Sequence, residues 1–131
     1  MSENTVTFVG RLTRDPDLKF LSSGKANAKF SIAVEKRWRN AQTGEWDKRT
    51  SFFDVVCWEH LAEHVGASLH KGHRVIVSGT LEQRTWETDS GDKRSAVEVI
   101  ADAVGPDLRF VTATLAQPKD TQPAFDDEDK F

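Results

Sequence analysis

Aromatic side chains lie among cations on segments that already have a separate apolar side. Trp86 alternates in phase with Arg84 and Arg74, and Trp38 lies inside the basic run 36–39. A flat ring beside a positive charge suits a nucleobase that stacks on the ring while its phosphate contacts the cation. These residue types at this spacing predict a surface that binds single-stranded nucleic acid.

The segments that carry these residues have the period of β-strands. Between residues 26 and 34, apolar side chains alternate strictly with polar or small ones, which is typical of a half-buried strand. The apolar set is Ala26, Ala28, Phe30, Ile32 and Val34. Trp38 is in phase with this set, so a straight strand would point it toward the core. A β-bulge, or a strand that runs past the end of the barrel, would instead leave it exposed.

A later strand, at about residues 49–58, has an apolar side and a wetter side. Its two alternating sets are Phe53, Val55 and Cys57, and opposite them Phe52, Asp54, Val56 and Trp58. Because Asp54 marks the wetter side, Phe52 and Trp58 are predicted to point away from the core.

One helix interrupts the strands. Leu61, Val65 and Leu69 recur every four residues, which predicts a short helix over residues 59–69. Turn signals and alternation predict further strands at residues 5–12, 18–21, 74–85, 93–101 and, after a break at Gly105-Pro106, 108–111. Five of these strands are long, at residues 5–12, 26–34, 49–58, 74–85 and 93–101, and the helix lies between the third and the fourth of them. That is the order of the OB-fold, a five-stranded Greek-key barrel whose face binds oligonucleotides.

Composition limits the classes of protein that fit. The 131 residues suffice for one domain, and no apolar run approaches the roughly 20 residues that cross a bilayer. A lone Cys57 and no visible secretory signal favour the cytoplasm, and no cofactor or membrane partner is expected. Residues 1–110 hold 16 basic and 16 acidic side chains, whereas residues 111–131 hold 2 and 5, so the net charge of −3 lies in the tail. A neutral body still accommodates a basic groove.

The order of motifs resembles that of bacterial single-stranded DNA-binding proteins, over about residues 4–112. The matching segments include Val9-Gly10-Arg11-Leu12, Phe30-Ser31-Ile32-Ala33-Val34, Asp54-Val55-Val56-Cys57-Trp58, Val75-Ile76-Val77-Ser78-Gly79 and Gln83-Arg84-Thr85-Trp86. The ending Gly105-Pro106-Asp107-Leu108-Arg109-Phe110 is most similar to actinobacterial members.

This resemblance implies an OB-fold homotetramer that binds single-stranded DNA without sequence preference and protects it in replication, recombination and repair. It places the stacking aromatics at Trp38, Phe52, Trp58 and Trp86, and the phosphate-contacting cations at Lys19, Arg39, Lys71 and Arg84. It further implies a nucleoid-associated cytoplasmic protein. Asp54 departs from the family pattern, which often has a cation there.

The tail is predicted to be separate from the folded domain. Residues 1–113 are assigned to the barrel and to oligomerisation, and residues 114–131 to a disordered linker with an acidic tip. The resemblance implies that this tip recruits replication and repair proteins, through Asp126, Asp127, Glu128, Asp129 and Phe131. The ending Lys130-Phe131 differs from the usual Pro-Phe of the family.

Other interpretations stay open at this point. The sequence His60-Leu61-Ala62-Glu63-His64 matches the H-x-x-E-H pattern of zinc hydrolases, although five-residue matches are often fortuitous. An OB-fold adaptor that acts through protein contacts is a third class. Trp46, in the loop of residues 40–47, is either a fifth stacking residue or part of hairpin packing.

Overall fold

In the computed structural model, which describes residues 3–116, the chain forms six strands and one helix. They are β1 (Val6–Leu12), β2 (Asp17–Phe20), β3 (Ala26–Arg39), β4 (Trp46–Trp58), α1 (Glu59–Ser68), β5 (Arg74–Glu87) and β6 (Lys93–Pro106). None of these described elements is a helix long and apolar enough to cross a membrane. The predicted strands up to residue 101 and the predicted helix are confirmed, but β4 begins at Trp46 inside the predicted loop, β6 runs on to Pro106, and no strand forms at residues 108–111.

Five strands close into a barrel. Their order is β1-β5-β6-β4-β3, and β3 pairs again with β1, which completes the ring. The short β2 pairs with the first residues of β3, so β1 and β2 share one edge of that strand. This is the OB-fold predicted from the order of elements.

The core lies inside the barrel, and its largest fully buried side chains come from all five barrel strands. They are Phe30, Leu12, Ile32, Val55, Val75, Val77, Val99 and Cys57. The helix α1 packs Ala62 and Val65 onto β3 and β4 and closes one end. Burial raises the pKa of the Cys57 thiol to about 12, so this cysteine stays protonated and inert at neutral pH.

Two side chains assigned to the wetter sides of β3 and β4 are buried. Val56 is 3 % exposed and lies in register between Lys29 and Ile100 of the neighbouring strands. Asn27 is buried as well, and its amide donates a hydrogen bond to the carbonyl of Cys57. Alternation within one strand does not show what its neighbours cover.

The predicted final strand at residues 108–111 is wrong. Gly105 and Pro106 do not interrupt the strand. They pair with Ile76 and Val75 of β5, so β6 continues to Pro106. A turn follows, because the buried Asp107 carboxylate fixes the chain at that point.

Asp107 binds two guanidinium groups. Its Oδ2 lies 2.9 Å from Arg74 Nε and 3.0 Å from Arg109 Nε. The hydrogen bonds from Arg109, with that from Arg74, lower the pKa of this carboxyl below its ordinary value. A group with a lowered pKa stabilises the fold above its unfolded-state pKa, and the stabilisation is lost as pH falls through the folded-state value.

We therefore expect Asp107→Asn to lower the free energy of unfolding at pH 7. The difference from the parent chain should shrink as pH is lowered below about 4, because protonation of Asp107 removes from the parent chain the charge that the variant already lacks. Urea titrations at several pH values measure it. Asp89→Asn, at an exposed turn position, is the control and should show little difference at any pH. A deficit in Asp107→Asn that stays constant down to acidic pH would contradict the assignment.

Candidate nucleic-acid interface

Two hairpins extend beyond the barrel. β3 and β4 stay paired through residues 35–39 and 46–50, although β1 reaches only Ala33 of β3. We call residues 35–50 the β3–β4 arm. β5 and β6 likewise stay paired beyond their contact with β4, and we call residues 83–97 the β5–β6 arm. Because β4 and β6 are parallel where they meet, both arms leave the barrel at the same end.

Three of the predicted stacking residues lie on the outer surface, which is the side of the strands that points away from the core. Phe52 and Trp58 are 66 % and 41 % exposed on β4, and Trp86 is 41 % exposed on β5. Lys19, Asn27 and Trp58 form one row across β2, β3 and β4. The prediction that these aromatics point away from the core is confirmed.

Trp86 already carries a cation on its ring. The guanidinium carbon of Arg84 lies 4.6 Å from the centroid of the indole, and Arg84 Nε lies 3.9 Å from a carboxylate oxygen of Glu98. Arg94 is directly opposite Trp86 on β6. The turn between Thr88 and Asp92 fixes this pairing, since the amide of Thr88 donates to the carbonyl of Asp92. Sequence reasoning missed Arg94, although that turn would have located it.

Trp38 is also exposed, but it lies on the other side of the β3–β4 arm. It pairs with Asp47 on the inner side, which is continuous with the core-facing side of the barrel strands. The pairing of β3 with β4 is unbroken from Asn27 to Arg39, so no bulge turns this residue. The strand simply runs past the barrel, which is one of the two ways in which Trp38 was expected to escape the core. The four aromatics therefore do not share one face.

The predicted cations are spread around the molecule. Arg39 is held at the arm by a hydrogen bond from its Nε to the carbonyl of Gly44, at 3.2 Å. Lys19 lies 3.4 Å from Asp17. Lys71 follows α1, while Trp58 precedes it, so about 15 Å of helix separates the two. The backbone of Lys71 is fixed by a hydrogen bond to Asp15. The structure brings Arg84 next to Trp86 and Lys19 into one row with Trp58, but leaves Lys71 apart.

A row of carboxylates crosses the middle of the outer surface. Asp54, Glu98 and Glu82 are in register on β4, β6 and β5. Asp54 stood out in the sequence, whereas Glu98 and Glu82 did not, because only the strand pairing makes them its neighbours. A phosphate is repelled along this row, so the outer surface favours anions at the arms and near Lys19.

Comparison with known proteins agrees with this geometry. A model of the "Single-strand binding protein family" matches residues 3–107. The chain belongs to this family. A single-stranded DNA-binding protein of Mycobacterium tuberculosis is 48 % identical over 114 residues, which cover 86 % of this chain and 70 % of the relative.

Two solved structures of single-stranded DNA-binding proteins have a fold similar to that of this chain. A complex of a Plasmodium falciparum SSB with single-stranded DNA has a TM-score of 0.71 at 30 % identity, and covers 80 % of this chain and 93 % of its own. A small single-stranded DNA-binding protein from Streptomyces coelicolor has a TM-score of 0.69 at 30 % identity, with 82 % and 97 % covered. The predicted OB-fold and the resemblance to actinobacterial members are confirmed.

Members of the single-strand binding protein family are DNA-binding proteins without enzymatic activity, which decides against a zinc hydrolase. In the H-x-x-E-H segment, His60 Nδ1 lies 3.3 Å from a Glu63 carboxylate oxygen, and the rings of His60 and His64 are 6.4 Å apart on the exposed side of α1. Within residues 3–116, no three His, Cys, Asp or Glu side chains are placed to share a metal ion.

Proposed function

We propose that this chain binds single-stranded DNA without sequence preference and protects it during replication, recombination and repair. Bases stack on Trp38, Phe52, Trp58 and Trp86, and phosphates contact Lys19, Arg39, Lys71 and Arg84. Arg94, opposite Trp86, joins the phosphate contacts. The names of the M. tuberculosis relative and of the P. falciparum complex support DNA as the ligand.

The observation that carries this proposal is the pairing of Arg84 with Trp86. A large ring is left 41 % exposed with a guanidinium 4.6 Å from its centroid, although the apolar side of the same strand fills the core. Every base has a flat face, so stacking contributes about 1–3 kcal/mol per base without reading its identity. Cations attract the phosphates, and this attraction is also independent of the base sequence.

The assembly we infer is a homotetramer. Support comes from apolar side chains left exposed on the single chain: Ile76 on β5, and Leu108, Phe110 and Val111 after β6. Large apolar side chains that are exposed on a single chain favour association. We also infer that the folded domain ends near residue 113 and that the protein acts in the cytoplasm at the nucleoid.

The acidic tip is assigned to partner recruitment. Its residues, Asp126, Asp127, Glu128, Asp129 and Phe131, lie outside the described part of the chain. Four acids close to the ring of Phe131 suit a basic-rimmed apolar pocket on a replication or repair protein.

Fluorescence anisotropy with labelled oligonucleotides at several salt concentrations tests the function. We expect similar affinities for oligo(dT) and for mixed single-stranded sequences, and much weaker binding of a duplex of the same length. The logarithm of the affinity should fall linearly with the logarithm of salt, by about 0.7 for each phosphate contacted. Equal affinity for the duplex, or no salt dependence, would refute the proposal.

A further inference from the structure

The β3–β4 arm carries four cations in two successive cross-strand pairs. Lys36 is directly opposite Arg49, and Arg37 is directly opposite Lys48. Like charges in this position destabilise an antiparallel pair, because their side chains project side by side. A two-stranded ribbon without a core of its own has little stability to spare for such repulsion.

The two pairs lie on opposite sides of the arm. Successive residues of a strand point to opposite sides, so Lys36 and Arg49 are on the inner side with Trp38. Arg37 and Lys48 are on the outer side with Trp46, which is 71 % exposed and pairs with Arg39. Each side of the arm thus combines two opposed cations with one exposed indole.

Carboxylates neutralise part of this charge on the outer side of the arm and little of it on the inner side. Arg37 forms an ion pair with Glu35, whereas Lys36, Lys48 and Arg49 have no carboxylate oxygen within 4.0 Å among residues 3–116. Asp47 is the carboxylate opposite Trp38 on the inner side, and it accepts a hydrogen bond from the amide of Asn40 at 3.0 Å. An external anion between the opposed cations would turn their repulsion into attraction.

We propose that the β3–β4 arm binds phosphates of single-stranded DNA on both of its sides, through Lys36 and Arg49 on the inner side and Arg37 and Lys48 on the outer side. Two segments of one strand, or two strands, then contact the same arm. On each side the ring and the cation pair are two residues apart, about 7 Å along the strand. One nucleotide spans this separation, with its base on the indole and its phosphate between the cations. This inference rests on the proposed DNA-binding function.

Two double substitutions separate the sides: K36Q/R49Q for the inner pair and R37Q/K48Q for the outer pair. The measured quantity is the slope of the logarithm of oligo(dT) affinity against the logarithm of salt. We expect each double variant to reduce the slope by about 0.7, and the quadruple variant by about 1.4, since each cation pair holds one phosphate and each neutralised phosphate contributes about 0.7. The variants K36R/R49K and R37K/K48R keep all charges and should keep the parental slope.

Thermal unfolding of the free variants distinguishes binding from a structural role. K36Q/R49Q removes only a repulsion, so its melting temperature should equal or exceed that of the parent chain. R37Q/K48Q removes a repulsion together with the ion pair of Arg37 and Glu35, so its melting temperature should stay close to that of the parent chain. If either double variant keeps the parental slope, the corresponding side does not bind phosphate and the inference is overturned. If the parent chain itself fails to bind oligo(dT), the proposed function falls and this inference falls with it.

Discussion

Replacing Trp58 by leucine is expected to weaken oligo(dT) binding about 5- to 150-fold, which corresponds to about 1–3 kcal/mol for one lost stack. Leucine is apolar but has no flat π-surface, so it fills space without stacking. Trp58 is 41 % exposed at the end of β4, and it shares a row with Lys19. A base on this ring therefore has a cation within reach of its phosphate.

The matched control is Trp58→Phe, which keeps an aromatic ring of smaller area. It should retain most of the affinity that leucine loses, when both are measured by anisotropy at one salt concentration. Urea unfolding of both variants checks that the fold is intact, because the side chain is only partly buried. Equal affinities of the leucine and phenylalanine variants would show that Trp58 does not stack on DNA.

Gly79→Ala is expected to destabilise the fold by about 3 kcal/mol or more, near the upper end for overpacked sites. A Cβ atom at Gly79 would lie 2.0 Å from the carbonyl oxygen of Ile100 and 2.9 Å from the Cα of Ala101. Both neighbours are backbone atoms of β6, at the place where the register between β5 and β6 shifts. Relief of the clash requires the two strands to move apart, and this opens the barrel.

Gly105→Ala is the control for this prediction. Gly105 lies on the same strand pair, opposite Ile76, and a Cβ atom there would meet nothing within 4 Å. Alanine should be neutral or stabilise by about 0.4–1 kcal/mol, because it restricts the unfolded chain. Urea titrations followed by tryptophan fluorescence compare the two variants. Similar stabilities would show that the close approach at Gly79 is not a constraint on the barrel.

Much of the fold follows from local patterns. Strict alternation from Ala26 to Val34 predicts β3, and the four-residue spacing of Leu61, Val65 and Leu69 predicts α1. Asp54 correctly separates the two sides of β4 at Phe52 and Trp58. These predictions succeed because each depends on neighbours within one element.

Features that depend on pairing between distant segments could not be predicted in the same way. The parallel contact of β4 with β6 brings Glu98 beside Asp54. The pattern of one strand carries no information about its partner's register. The continuation of β6 through Gly105 and Pro106 was missed for a related reason, since β5 and not the local sequence holds those residues in a strand.

The site shows the same division. Exposure of Phe52, Trp58 and Trp86 follows from alternation, and the sequence alone places Arg84 in phase with Trp86. The position of Trp38 on the opposite side of the arm depends on how far β3 extends past the barrel. The length of β3 beyond the barrel is set by where β1 stops pairing with it, and the residues around Trp38 carry no signal for that position.

Stacking of bases on exposed rings is the central claim, and an abasic oligonucleotide tests it directly. Tryptophan fluorescence and affinity are measured with oligo(dT) and with an abasic backbone of equal length and charge, at one salt concentration. We expect oligo(dT) to quench the fluorescence and to bind more than about tenfold more tightly, since each stacked base contributes about 1–3 kcal/mol. Equal quenching and equal affinity with the abasic strand would show that charge alone holds the DNA and that the rings do not stack.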